Sequence, residues 1–319
     1  MKPKNPLTFR HRNDKTILQG GFISLAKLNT KYIGLIFISP WLIGFLSFQL
    51  YPLVASFIYS FTDYSVLRSA KFIAFDNYIR MFKIDKDFLH SLKVTFSYAL
   101  MAVPGKLGFA LIVALLLNIK IKGMSFYRTL FYLPSILGGS VALSALWRLM
   151  FMKDGIVNNM LQSMGIPTPD WLGDPHIALF TISSLEVWQF GSSMVLFLAA
   201  LKQIPQELYE AAKVDGASWA SNFFRITIPL ITPIIFFNLI MQTLHALQAF
   251  TSAFVITGGG PLKSTYLVGM KLYNEGFNNF KMGYASAISW VLFAIILLVT
   301  LLIFKSSDTW VHYNDKEGA

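Results

Sequence analysis

QIPQELYEAAKVDGASWASNFFRITIPLITP, residues Gln203 to Pro233, is a polar island between two long apolar runs. Its first part reads as a short helix: Pro205 suits the first turn, Glu207 and Glu210 favour the positive end, and Gly216 supplies a stop. Leu208, Ala211 and Ala212 then share one face and form a shallow knob, a shape suited to a socket on another protein. Beyond Gly216, Ser218 is placed to cap a second, amphipathic helix that carries Trp219, Phe223 and Phe224 into a membrane boundary, with Arg225 reaching back to water. Thr227, Pro229 and Pro233 mark the bend into the next apolar run.

Those apolar runs set the class of protein. The 319 residues are 55% hydrophobic and 13% charged, against about 25% charged in a soluble domain, so the chain belongs in a bilayer. With no cysteine, it has no disulfide, thiolate metal site or cysteine nucleophile. The net charge of +11 raises nucleic acid as a partner, but the basic residues gather beside apolar runs rather than among stacking aromatics, and membrane topology accounts for them. Residues 1–31 form a basic tail, with Lys2, Lys4, Arg10, Arg12, Lys15, Lys27 and Lys31 against Asp14, which keeps this end in the cytoplasm. No cleaved signal peptide is expected, because the apolar run that follows is too long and no small-residue cleavage site follows it. Ile17 to Leu28 fits either a surface helix or an unstructured tail.

The expected architecture is an all-α membrane protein of six spans with both termini cytoplasmic. The spans fall near Tyr32–Phe61 (interrupted by Pro40 and Pro52), Leu92–Asn118, Phe126–Phe151, Ile177–Leu201, Ile226–Phe250 and Tyr284–Phe304. The transmembrane domain is expected over 32–306, with a cytoplasmic tail over 307–319. Lys120, Lys122 and Arg128 beside the short loop after span two, and Asp154, Asp170 and Asp174 in the loop after span three, agree with a positive interior. The first outer loop agrees less well, since Arg68, Lys71, Arg80, Lys83 and Lys86 outnumber its acids.

Candidate solute contacts come from polar groups inside the spans. A charge at mid-span costs about 2.5–3.5 kcal/mol on insertion scales, so Glu186 needs a partner or a wet cavity; Lys106 lies at a matching height and is the expected partner. Trp188, Gln189 and Ser192 in span four, with Asn238, Gln242, His245 and Gln248 in span five, offer hydrogen bonds and an aromatic face to a sugar. Steps of four and three put Asn238, Gln242 and His245 on one helical face. The same residues could equally tie spans to one another, and both readings fit the sequence. His245 has no second histidine or carboxylate at ligand spacing, so no metal is expected, and no nucleophile and base can be assembled into an enzyme active site. TGGGPLKST, Thr257 to Thr265, is not a phosphate loop, because Leu262 precedes Lys263 and Thr257 stands where the earlier glycine belongs. Its glycines let the backbone turn sharply where span five ends.

Glu210-Ala211-Ala212, then Gly216, Ile226 and Pro229, resembles the EAA loop of permease subunits of binding-protein-dependent ABC importers, with Ile228 where leucine is commoner. Ile38 to Tyr64, Phe126 to Pro134, Thr257 to Thr265 and Met282 to Phe293 look like the maltose-type first permease of the carbohydrate-uptake branch. The resemblance implies coupling to an ATPase through Leu208, Glu210, Ala211, Ala212, Asp215, Gly216, Ile226 and Pro229, and a binding-protein side at Gly258, Gly259, Gly260 and Pro261. It implies a second homologous permease, two ATP-binding subunits that use ATP and Mg, and an extracytoplasmic solute-binding protein. No cofactor on this chain is implied. The solute it implies is a carbohydrate, an oligosaccharide or sugar derivative, moved by alternating access across the bacterial inner membrane. A secondary transporter or channel without an ATPase accounts for the spans but gives the EAA spacing no role.

Overall fold

The computed structural model describes residues 30–119 and 122–312. The basic tail up to residue 29, the Ile17–Leu28 segment, Lys120 and the last residues from 313 lie outside them. The described residues up to Ala55 form one unit and those from Ser56 another. Helix α1 (Thr30–Phe45) runs through a π turn, Leu46–Leu50, into α2 (Tyr51–Ser60), and the boundary between the units falls within α2. Proline lacks an N–H and its ring presses on the carbonyl four residues back. The wider π turn ends two residues before Pro52 and contains Phe48, the residue whose carbonyl would be crowded.

In the larger unit, α3 (Asp76–Lys83) leads to the long α4 (Lys86–Leu117), and α5 (Met124–Ile136), α6 (Val141–Phe151) and α7 (Ile156–Ser163) follow. Next come α8 (Ala178–Trp188), α9 (Gly191–Gln203), the short α10 (Gln206–Val214), α11 (Trp219–Asn222) and α12 (Ile228–Leu247). The chain closes with α13 (Thr251–Ile256), α14 (Val268–Tyr273) and α15 (Met282–Trp310). Among the described residues, four helices are long and apolar enough to cross a membrane: 37–60, 86–117, 219–247 and 282–310.

The segments expected as spans three and four are two bent helix pairs rather than two single helices. The third bends by 98° between Ile136 and Val141, and the fourth by 47° between Trp188 and Gly191. Leu137-Gly138-Gly139-Ser140 cannot carry a helix cheaply: Gly139 has φ +73° and Ser140 caps α6 by accepting from the Leu143 N–H. At the fifth span the opposite correction applies. No bend separates Trp219 from Leu247; α11 passes through a π turn, Phe223–Thr227, straight into α12. That turn also ends two residues before a proline, Pro229. Span five then ends at Leu247 rather than Phe250, and α13 intervenes before the triple glycine.

Helix α4 is the axis of the bundle and packs against α8, α9 and α12. Within a bilayer, close backbone approach rather than hydrophobic exclusion drives such contacts, so small residues mark the interface. The buried side of α4 carries Ser91, Thr95, Ala99, Ala102, Ala110 and Ala114.

At the end away from α10, an ionic cluster joins α4, α14 and α15. Lys271 lies 2.8 Å from both Asp85 and Glu275, the Tyr284 hydroxyl donates to Asp85 at 2.7 Å, and Arg80 covers the Tyr284 ring. Burial pushes the Asp85 carboxyl up, but the bonds from Lys271 and Tyr284 and the lysine charge outweigh it and hold the group below 3.8. Lys271 is likewise pushed down by burial and held above its ordinary value by Asp85 and Glu275. Both shifts favour the charged, folded pair. The Asp85 contribution is complete above about pH 3.8 and fades as pH falls through its lowered pKa; that of Lys271 is complete below 10.5 and fades as pH rises through its raised one. Lys271→Met leaves two carboxylates without their cation and is expected to cost about 3–5 kcal/mol, read as a lower unfolding temperature in detergent near neutral pH.

Candidate functional site

The breaks in spans three and four meet. Ser135, Gly138 and Gly139 from the first face Glu186, Gln189 and Ser192 from the second across a cavity of about 440 Å³. Gln242, His245 and Gln248 from the end of α12, and Tyr98 and Lys106 from α4, complete it. A polar cavity at broken helix ends is where interrupted backbone can sit inside a membrane protein, because the freed peptide groups find solvent or solute there. Two glycines permit the approach. A methyl group on Gly138 would meet Gln189 Oε1 at 2.5 Å, and one on Gly191 would meet Phe131 O and Tyr132 Cα at 2.8 Å.

Lys106 and Glu186 form an ion pair with Nζ 2.5 Å from Oε1. The approach of their helices is set one residue away, where a methyl on Gly105 would touch Val187 at 2.9 Å. The lysine side chain is 8% exposed and the glutamate 27%, so the acid is the member of the pair open to the cavity. Not every expected solute contact reaches it. Asn238 is buried and spends its amide on the Ile234 carbonyl of its own helix, 3.0 Å away, and Trp188 packs beside Trp147 outside the lining. Asn238 therefore stays outside the lining to which Gln242 and His245 contribute. Sequence reasoning missed Tyr98, Ser135, Ser144 and Ser252; the signal for the break itself was Pro134 followed by Gly138-Gly139.

The second feature is α10, which stands out from the bundle with Leu208, Glu210 and Ala211 exposed and Ala212 half-buried. The expected knob is thus split: Leu208 and Ala211 face outward, while Tyr209 and Ala212 turn in. The helix ends in a Schellman motif, with Ala217 N–H bonded to Ala212 O at 2.9 Å, Gly216 N–H to Lys213 O at 3.1 Å, and Gly216 at φ +74°. Asp215 occupies the C-cap position and is exposed. Ser218 then caps α11 through the Ser221 N–H. The Tyr209 hydroxyl lies 2.9 Å from Thr227 Oγ1, which ties α10 to the base of span five between Ile226 and Pro229. Tyr209 and Thr227 were not among the expected coupling residues.

At the other end of the bundle, the loop over Gly258, Gly259, Gly260 and Pro261 folds back on itself. Thr265 Oγ1 donates to Gly260 O and lies 2.7 Å from Thr257 Oγ1, and Lys263 bonds Asp87 at 2.6 Å. The loop follows α13, not span five.

Residues 87–316 match the family described as the binding-protein-dependent transport system inner membrane component. The probable ABC transporter permease protein YesP of Bacillus subtilis (strain 168) is 52% identical over 287 residues, 89% of this chain and 93% of that protein. The trehalose/maltose transport system permease protein MalF of Thermococcus litoralis is 32% identical over 90% of this chain and 98% of its own length. In fold, the chain is similar to a chain in the crystal structure of a bacterial ABC transporter involved in the import of the acidic polysaccharide alginate, at TM-score 0.75 and 24% identity over 87% of this chain and 96% of that one. The chain belongs to the family of inner membrane components of binding-protein-dependent transport systems, a permease family of membrane-spanning subunits.

Removing one member of the buried ion pair strands the other. Glu186→Gln or Lys106→Met alone is expected to lower stability by about 3–5 kcal/mol, and the double variant to recover most of that loss. Thermal unfolding of the four proteins of the cycle in one detergent measures it; a strictly additive double variant contradicts the pairing.

Proposed function

We propose that the chain is one of two related permease subunits of an ATP-driven importer that moves a carbohydrate or sugar derivative across the bacterial inner membrane by alternating access. If each bent helix pair is one crossing, the chain crosses six times, α10 lies in the cytosol with both termini, and the Gly258–Pro261 loop faces the extracytoplasmic binding protein. The family supports the importer class, and the sugar class is supported by relatives named for trehalose and maltose, for multiple sugars and for lactose. ATP and Mg belong to two partner ATPase subunits, and this chain holds neither.

The observation that carries the reading is α10 itself. It is a short exposed helix between two crossings, locked at its end by Gly216 and joined to span five by Tyr209 and Thr227. Seated in a cleft of an ATPase through Leu208, Glu210 and Ala211, it would transmit nucleotide-driven movement along α11 and the π turn into α12. Glu186, Gln189, Gln242, His245 and Gln248 would meet the solute through hydrogen bonds, the interaction suited to sugar hydroxyls.

Gly216→Asp forces a side chain into a left-handed backbone, at about 1–2 kcal/mol locally, and unseats the end of α10. Expected is an assembled membrane bundle that no longer drives uptake in response to ATP. Co-purification of an ATPase with the parent chain, together with sugar uptake in vesicles, measures both halves. Unimpaired uptake in Gly216→Asp removes α10 from the coupling role.

A further inference from the structure

At the end of the bundle away from α10, a cavity of about 690 Å³ lies against the ionic cluster and shares Arg80 and Tyr284 with it. Its walls are fixed by hydrogen bonds. Buried Asn77 on α3 donates to the Ser60 and Thr62 carbonyls at 2.9 and 2.8 Å, and the Gly283 N–H at the start of α15 donates to Tyr64 O at 2.8 Å, an approach that a side chain at Gly283 would prevent. Helix length gives the height of the cavity in a bilayer. α15 has 29 residues, which at a rise of 1.5 Å is about 43 Å, against about 40–45 Å for a bilayer counted with its headgroups. Asn279, Phe280 and Lys281 immediately precede that helix and all line the cavity, so it stands in the headgroup layer.

The lining carries two chemistries. Arg68, Arg80 and Lys281 stand against Asp63 and Asp76, an excess of one positive charge. Asp63 already accepts the Lys71 N–H at 2.7 Å, and Asp76 lies in the first turn of α3, at its positive end. Neither arginine forms an ion pair among the described residues, and Lys281 comes only to 4.0 Å from Glu275. Beside these cations Leu67, Ile79, Ile84 and Phe280 are 75%, 48%, 71% and 45% exposed. Phe280 holds its place at φ +55°, a left-handed backbone that a bulky residue adopts only where its surroundings impose it. A soluble anion would use the cations and leave the apolar wall wet, and a neutral sugar would leave the cations idle. A phospholipid uses both. Helix α3 suits the same surface: Phe75, Ile79 and Phe82, at steps of four and three, form an exposed apolar stripe opposite buried Asn77 and Met81.

We propose that this cavity binds one anionic phospholipid of the outer leaflet, its phosphodiester held by Arg68, Arg80 and Lys281 and its apolar part by Ile79, Ile84 and Phe280. The surplus of cations in the first outer loop, which runs against a positive interior, then has a ligand. That the leaflet is the outer one rests on the topology proposed above; the lipid site does not.

The complete transporter, stripped of lipid in a neutral detergent, is titrated with dioleoylphosphatidylglycerol or dioleoylphosphatidylcholine, and bound lipid is counted by native mass spectrometry. Expected is a saturable site that prefers phosphatidylglycerol; comparison with the variants separates it from other lipids on the complex. Each cation removed is expected to weaken it roughly fivefold, so Arg68→Gln lowers affinity and Arg68→Gln with Lys281→Gln lowers it further. Lys83→Gln, in the same loop but outside the lining, leaves it unchanged. Arg80 is kept because it covers the Tyr284 ring. Equal affinity for the two lipids, or a phosphatidylglycerol site indifferent to the double variant, overturns the proposal. So does displacement of the lipid by an equal concentration of glycerophosphoglycerol, the headgroup without acyl chains, because the apolar wall then contributes nothing. Loss of binding-protein docking in Arg68→Gln with phosphatidylglycerol binding unchanged assigns the cavity to a protein contact and overturns it as well. The leaflet is read separately: the chain has no cysteine, so Arg68→Cys alone reports to a membrane-impermeant maleimide. Labelling in right-side-out vesicles is expected; labelling only in inside-out vesicles overturns the outer-leaflet assignment and the topology with it, while the lipid site stands or falls by the titration.

Discussion

A peptide group in the hydrocarbon layer must be hydrogen-bonded, and leaving one unpaired costs several kcal/mol. That constraint explains why the interruptions in this bundle are not scattered. Leu137–Ser140 and Gln189–Phe190 break two spans, Gln248–Phe250 ends a third, and residues from all three segments line the same cavity. Cavity and breaks are one feature: the polar space satisfies the interrupted backbone, and the interrupted helices supply the side chains around it. Helix α4, unbroken despite Pro104, gives these pieces a common surface.

The coupling role proposed for α10 places a different demand on the chain there. A lever is useful only if it does not unwind or swing freely, and two local devices prevent both. The Schellman motif closes the free end at Gly216, and the Tyr209–Thr227 contact holds the middle of the helix to span five. Leu208, Glu210 and Ala211 remain outside, available for a partner. The π turn at Phe223–Thr227 accommodates Pro229 without a bend, so the path from α11 to Leu247 stays one helix.

Much of this was legible in the sequence because it depends on local chemistry. Pro205, Gly216 and Ser218 announce the bounds of α10 and the start of α11, and the apolar runs announce the crossings. Glu186 announced a partner because a lone charge in a bilayer is costly, and Lys106 was the cation at matching height. The breaks were less legible: an apolar run of the right length has the same composition whether it bends or not. That Asn238 and Trp188 lie outside the cavity lining was illegible for a related reason. Helical spacing fixes which residues share a face but not whether a side chain satisfies itself on its own backbone, as Asn238 does with Ile234. Tyr209–Thr227 spans 18 residues and carries no periodic signature at all.

The division of labour inside the cavity follows from magnitudes. Lys106 is nearly enclosed and bonded to Glu186, and breaking such a pair costs about 3–5 kcal/mol. A neutral sugar hydroxyl gains about 0.5–1.5 kcal/mol per hydrogen bond, too little to prise the two apart. On the reading proposed here the pair is therefore an anchor between α4 and α8, and it touches solute only through the exposed side of Glu186. On that reading selection falls instead to groups with free hydrogen-bonding capacity, the amide of Gln189 at the end of α8 and the Gln242 amide and His245 imidazole on α12. α10 is joined to α9, which begins just past Gln189 and leads into it, and to α12 by the Tyr209 contact, so movement of the lever would reach the solute-facing amides before it reached the ion pair.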